Sequence, residues 1–136
     1  VSKPIQGVSE EALWQAMLTK TGDGIVDFLP VADVKIEDRG SYIWRSMLFL
    51  GSGALKGKVL TQHIYVDRDS GEIRFVALDV AGNELGEEIL NVMLRNPLRI
   101  EYFQRDRLSK ERLHWTAPLS RTAAAIEKTI DVARAA

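Results

Sequence analysis

The chain has 136 residues, with 18 Lys plus Arg against 19 Asp plus Glu, 46% hydrophobic residues and no cysteine. A chain of this length predicts a single domain, residues 1–136, that removes roughly two thirds of its unfolded surface from water, and the lack of cysteine excludes disulfides and thiolate chemistry. A net charge of -1 argues against a nucleic-acid partner, since phosphate binding draws on clustered Lys and Arg. The chain has neither an apolar run of about 20 residues nor a basic-then-apolar leader, which predicts no membrane span and a cytoplasmic location.

Val1 to Gly7 reads as the end of a first strand. Ser9 followed by Glu10 and Glu11, then Leu13, Trp14, Met17 and Leu18, gives an N-cap, an acidic first turn and helical spacing. A helix from about Ser9 to Thr21 follows, ended by Gly22 and Gly24, with Ile25 to Leu29 as a second short helical turn before Pro30. From Val31 the period changes to two: Ala32, Val34 and Ile36 alternate with Asp33, Lys35 and Glu37, the pattern of a strand buried on one face. Asp38 to Ser41 reads as a hairpin turn. With Arg39 and Gly40 at its tip, Ile36 faces Ile43 and Val34 faces Arg45. This register puts Ile43, Arg45, Met47 and Phe49 on the apolar face, and Tyr42, Trp44, Ser46 and Leu48 on the charged one.

After the glycine-rich Gly51 to Lys58, strands are predicted from Val59 to Val66 and from Glu72 to Leu78, joined by a turn at Arg68 to Gly71. Asp79 to Glu88 reads as a loop, and Ile89 to Leu94 and Leu98 to Arg105 as a hairpin turning at Arg95-Asn96-Pro97. A charged connector, Asp106 to Arg112, leads to a C-terminal helix with Pro118 in its first turn. On this helix Leu119, Ala123, Ile126, Ile130 and Ala133 share one face. The order predicts an α+β domain with its helices gathered on one face of an antiparallel sheet. An Ala-rich helix stripe leaves space beneath the sheet, to be filled by core or kept as a pocket.

Gly53-Ala54-Leu55-Lys56-Gly57-Lys58 invites a phosphate-loop reading, which fails. The glycines are one residue too close, Val59 replaces the magnesium-holding Ser or Thr, and a strand follows where a helix is required. Arg45 is the most informative residue, because a guanidinium among Val34, Ile43, Met47 and Phe49 needs a partner. That partner is an internal carboxylate, water at the rim reached by snorkelling, or the acidic head of an apolar ligand. Across the last hairpin Asn91 is predicted beside Tyr102 and Met93 beside Ile100, so Asn91, Tyr102 and Gln104 become polar groups on the apolar inner face. They form either a satisfied internal network or the polar points of a small-molecule site. His63 and Tyr65 share a face with Thr61, as acid or base candidates or as outer-face residues beside Arg74. His114 has no companion ligand, so no metal site is expected, and no cofactor. Neither Glu10-Glu11 nor Glu87-Glu88 suits a carboxylate dyad, since neighbouring side chains point apart. Trp14 and Trp115 are expected to pack in the core, whereas Trp44 lies on the polar face of its strand.

Pro4-Ile5-Gln6-Gly7-Val8-Ser9-Glu10-Glu11-Ala12-Leu13-Trp14 resembles the strand-to-helix start of the SRPBCC or START-like helix-grip superfamily. The stretches Ser41 to Phe49 and Gly57 to Phe75 are similar to its AtaL-like group. The resemblance implies a curved antiparallel sheet wrapped around a long C-terminal helix, with two short helices after the first strand and a cavity between. The expected function is binding of a small apolar or amphipathic molecule there. Arg45, Asn91, Tyr102 and Gln104 would be its polar contacts, with Met47, Phe49, Met93, Ile126 and Ile130 as walls. Two alternatives stand beside it. One is a cyclase- or aromatase-like enzyme using Tyr102 or His63 to move protons and Arg45 to steady an enolate. The other is a ligand-free interaction module whose outer strands and Trp44 meet a second copy in a homodimer, or another partner.

Overall fold

Ser9 caps the first helix as its position in the sequence demands. Its hydroxyl accepts from the Ala12 N–H at 3.0 Å, and the acidic Glu10 and Glu11 sit in the first turn, where the helix dipole favours them. In the computed structural model, which describes residues 2–114 and 119–135, this helix, α1, covers Glu10–Leu18. Two 3-10 turns follow at Thr19–Thr21 and Asp23–Asp27. Gly24 is needed in the second of them, since a Cβ there would lie 2.6 Å from the Thr19 carbonyl oxygen.

Among the described residues eight strands form one curved, unclosed antiparallel sheet, giving an α+β fold. They are β1 (Ser2–Pro4), β2 (Val31–Asp38), β3 (Ile43–Phe49), β4 (Val59–Asp67), β5 (Glu72–Ala77), β6 (Glu87–Leu94), β7 (Arg99–Asp106) and β8 (Arg112–Leu113). β2 to β7 run as a meander, and β1 and β8 both pair with β7. α2, Leu119–Ala135, packs against α1 on the inner face of the sheet. The main core lies between them, with Leu13, Trp14 and Met17 from α1, Ile64, Ile73, Met93 and Ile100 from the sheet, and Ile126, Ile130 and Ala133 from α2. Each such Leu, Ile or Met side chain contributes about 1.5–3 kcal/mol by leaving water. A second cluster, Ile25, Val31, Met47 and Phe49, closes one end.

Four expectations need correction. The first hairpin has no two-residue tip. Asp38 Oδ1 accepts from the Gly40 N–H at 2.9 Å, the chain turns through residues 39–42, and Ile36 pairs with Arg45. An extra residue is inserted between Ala32 and Lys35, where Asp33 has a φ of 52°. Upstream of this bulge the faces invert, so Val31 lies opposite Phe49 in the core while Ala32 lies opposite Leu48. Glu87 and Glu88, expected in a loop, begin β6, and the charged connector holds the short β8. On α2 the buried stripe is rotated: Ala123 is exposed, and Thr122, Ile126, Thr129, Ile130 and Ala133 are buried. Two threonines hide in that stripe, which a purely apolar count passes over. Trp115, Pro118 and the Leu119 side chain lie outside the described residues.

Candidate functional site

A cavity of about 190 Å³ lies between the inner face of the sheet and the helices. The two 3-10 turns and the residues just after them supply Lys20, Ile25, Phe28 and Leu29, and α2 supplies Thr122 and Ala125. The sheet supplies Arg45, Met47, Gln62, Phe75, Ile89, Asn91 and Tyr102. It adjoins a wider depression of about 500 Å³ that shares Gln62, Phe75 and Ile89 and is bounded by Leu85 to Glu88, Gln104 and Asp106. Carboxylates therefore stand at the outer rim, and two cations on the floor.

Arg45 is 1% exposed, so its side chain does not snorkel to water. Among the described residues no carboxylate meets it either. Its Nη1 donates to the backbone carbonyl of Lys20 and, at 3.4 Å, to that of Gly22, and Nη2 donates to Gln62 Oε1 at 2.9 Å. Gln62 is in place because it is directly opposite Arg45 in the ladder. Nε of Arg45 is buried and has no partner among the described residues. Burial pulls the guanidinium down to about 10, from 12.5.

Lys20 is the residue that sequence reasoning missed. Its ammonium reaches Asn91 Oδ1 at 2.5 Å and the Tyr102 hydroxyl at 2.6 Å, and lies 3.9 Å from the centre of the Tyr102 ring. Burial, followed by the nearby charge of Arg45, lowers it to about 7. The Tyr102 hydroxyl is also 3.0 Å from Thr129 Oγ1, which donates to the Ala125 carbonyl at 2.9 Å. Thr129 has one hydroxyl proton, and the Ala125 carbonyl takes it, so Tyr102 must donate to Thr129 and accept from Lys20. The chain of donors is thus directed from Lys20 through Tyr102 into α2. Burial holds the Tyr102 phenol well above its ordinary value and so keeps it protonated. The signal for Lys20 was its spacing, three residues after Met17 and seven after Leu13, which continues the buried face of the helix.

The other predicted residues divide. Asn91 is paired with Tyr102, and Met93 with Ile100, as the hairpin register required. Arg45, Met47, Asn91 and Tyr102 line the cavity, and Gln104 lines the outer depression. Phe49 is in the second core cluster, and Met93, Ile126 and Ile130 are in the main core, so these four stand behind the walls. Thr122 and Ala125 replace the two isoleucines because of the rotated stripe on α2.

His63 and Tyr65 lie on the opposite face of the sheet, away from the cavity. His63 pairs across the ladder with Trp44, and Tyr65 with Arg74. His63 Nδ1 is 2.9 Å from Glu84 Oε2, Tyr65 donates to the same oxygen, and Arg107 meets the other. Burial, reinforced by the hydrogen bond to Glu84, raises Tyr65 to about 12. Trp44 is half-buried, with the Arg39 guanidinium 5.4 Å from its ring centre. Among the described residues no group of three or more His, Asp or Glu side chains could hold a metal ion, and no helix is long and apolar enough to cross a membrane.

No family model matches the chain, and no curated protein matches it.

Proposed function

We propose that the protein binds a small, largely apolar molecule with an anionic head in the cavity between the sheet and α2. The head lies against Arg45 and Lys20, and the apolar part lies along Met47, Phe75, Ile89 and Phe28. One observation carries this reading: two buried cations share a cavity, and neither forms an ion pair among the described residues, although ten other pairs occur elsewhere. A buried charge without a counter-charge costs several kcal/mol, and an incoming carboxylate or phenolate would offset that cost with charge-assisted hydrogen bonds. The unpartnered Arg45 Nε is one such donor already in place. The cavity volume suits a molecule smaller than a typical drug, with any longer tail extending into the adjoining depression.

The helix-grip resemblance supports the same reading, since a strand, a helix with following helical turns, a meander and a final helix occur in that order. The test is native mass spectrometry of freshly purified protein, followed by denaturation and weighing of whatever is released. A stoichiometric acidic, amphipathic adduct is the expected result. A bare protein mass that also fails to shift with added medium-chain carboxylates would overturn the proposal.

A further inference from the structure

The Lys20 amine is the only amine lining the cavity among the described residues, and its surroundings are those of a reacting group rather than of a structural cation. Its two placed acceptors, Asn91 Oδ1 and the Tyr102 hydroxyl, are neutral, and among the described residues no carboxylate pairs with it, so only these acceptors and the Tyr102 and Phe28 ring faces favour a positive charge there. The groups facing it are the Arg45 guanidinium from β3, the Tyr102 phenol from β7 and the neutral Asn91, with Thr122 and Ala125 from α2 on the same cavity wall. Glu87 and Asp106 belong to the outer depression. A desolvated lysine beside a second cation gives up its proton near neutral pH, so the free amine, the form that attacks carbonyl carbon, is populated there alongside the ammonium.

We propose that Lys20 is a nucleophile that condenses with the ketone of a small apolar oxo acid whose carboxylate lies against Arg45. This inference rests on the binding reading above and names the class of ligand. The amine lone pair forms the C–N bond as the carbonyl π pair moves onto oxygen. That oxygen takes a proton from the Tyr102 hydroxyl, and Tyr102 regains one from the nitrogen. The resulting hydroxyl leaves as water with the nitrogen's second proton, passed through Tyr102, as the nitrogen lone pair closes the C=N bond, so amine plus ketone becomes imine plus water with no change of oxidation state. The 2.6 Å contact between the Lys20 nitrogen and the Tyr102 oxygen sets the phenol next to the nitrogen for both transfers, the hydroxyl turning from Thr129 to the carbonyl oxygen for the first.

The experiment uses the whole chain with 2-oxooctanoate and sodium cyanoborohydride, read by intact mass and peptide mapping, alongside calorimetric binding of the same oxo acid without reductant. Reduction traps the imine as a secondary amine, adding the mass of the probe less one oxygen atom. Labelling is expected at Lys20 over the other six of the seven lysines by more than about tenfold, since near pH 7 an ordinary lysine is about a thousandfold less often neutral. The rate should rise through about pH 7, fall for 2-octanone, and lose that preference for the acid in Arg45→Leu. Lys20→Met should lose the selective label, leaving only the even background of the other lysines. Binding without Lys20 labelling, or labelling spread evenly over the lysines, would overturn the nucleophile and leave the binding reading standing. Absence of binding would overturn both for this class of acid.

Discussion

The two faces of one sheet handle charge in opposite ways. On the outer face Glu88, buried and 1% exposed, accepts from Arg74 and Arg105 at 2.7 Å each. Burial pushes its carboxyl up, but those hydrogen bonds and charges outweigh burial and hold it below the usual carboxylate range. Glu84 is held down in the same way by Tyr65, His63 and Arg107. On the inner face Lys20 and Arg45 are buried with only neutral acceptors, and both are pulled down. An internally neutralised network holds a sheet together, whereas an uncompensated one is set up for something that arrives from outside.

This contrast breaks most sharply at Glu88. Glu88→Gln strands two arginines on the outer face and should cost about 3 kcal/mol in urea denaturation, the lower end for breaking a buried pair because both arginines keep some water. A loss near zero would mean the outer network is ornamental. Lys20→Met should act in the other direction. It removes a buried charge and gains about 2 kcal/mol at pH 6, after the cost of leaving Asn91 and Tyr102 without a donor. The pH dependence carries its sign. Unfolded Lys20 keeps its proton up to near 10.5, whereas folded Lys20 releases it near 7. Between those values the unfolded state holds more protons, so stability rises with pH. Above about 10 the raised tyrosines oppose the rise. Lys20→Met should flatten that slope, and denaturation midpoints from pH 6 to 9 check it.

Arg45→Leu sharpens the comparison on the ligand side. Octanoate affinity should fall about tenfold, or about 1.4 kcal/mol, with the fold intact or firmer. The smallest effect belongs to His63→Asn, which lies across the sheet. It should cost about 1 kcal/mol through its bond to Glu84 and leave octanoate affinity within about twofold. A larger change in binding would mean that the two faces communicate.

Alternation made much of this legible. From β3 to β7 the inward positions recur with period two, so Arg45 could be assigned inward from period, and Asn91 and Tyr102 from hairpin register. What stayed hidden has local causes. The bulge at Asp33 inverted Ala32 because one inserted residue shifts a register of period two. The stripe on α2 was misjudged because Thr122 and Thr129 are buried polar residues, the Thr129 hydroxyl bonding Tyr102 and the Ala125 carbonyl. Lys20 was overlooked since a lysine two residues before a glycine is usually a solvated helix end, and only its spacing from Leu13 and Met17 marked it as inward.

The central claim is that the cationic floor of the cavity is a recognition site for an acid. It is tested most directly by calorimetric titration of octanoate and 1-octanol, matched in chain length, into the wild-type protein and Arg45→Leu. The account predicts octanoate tighter by at least about tenfold in the wild type, with the preference lost in the variant. Equal affinities of acid and alcohol in the wild type would contradict it.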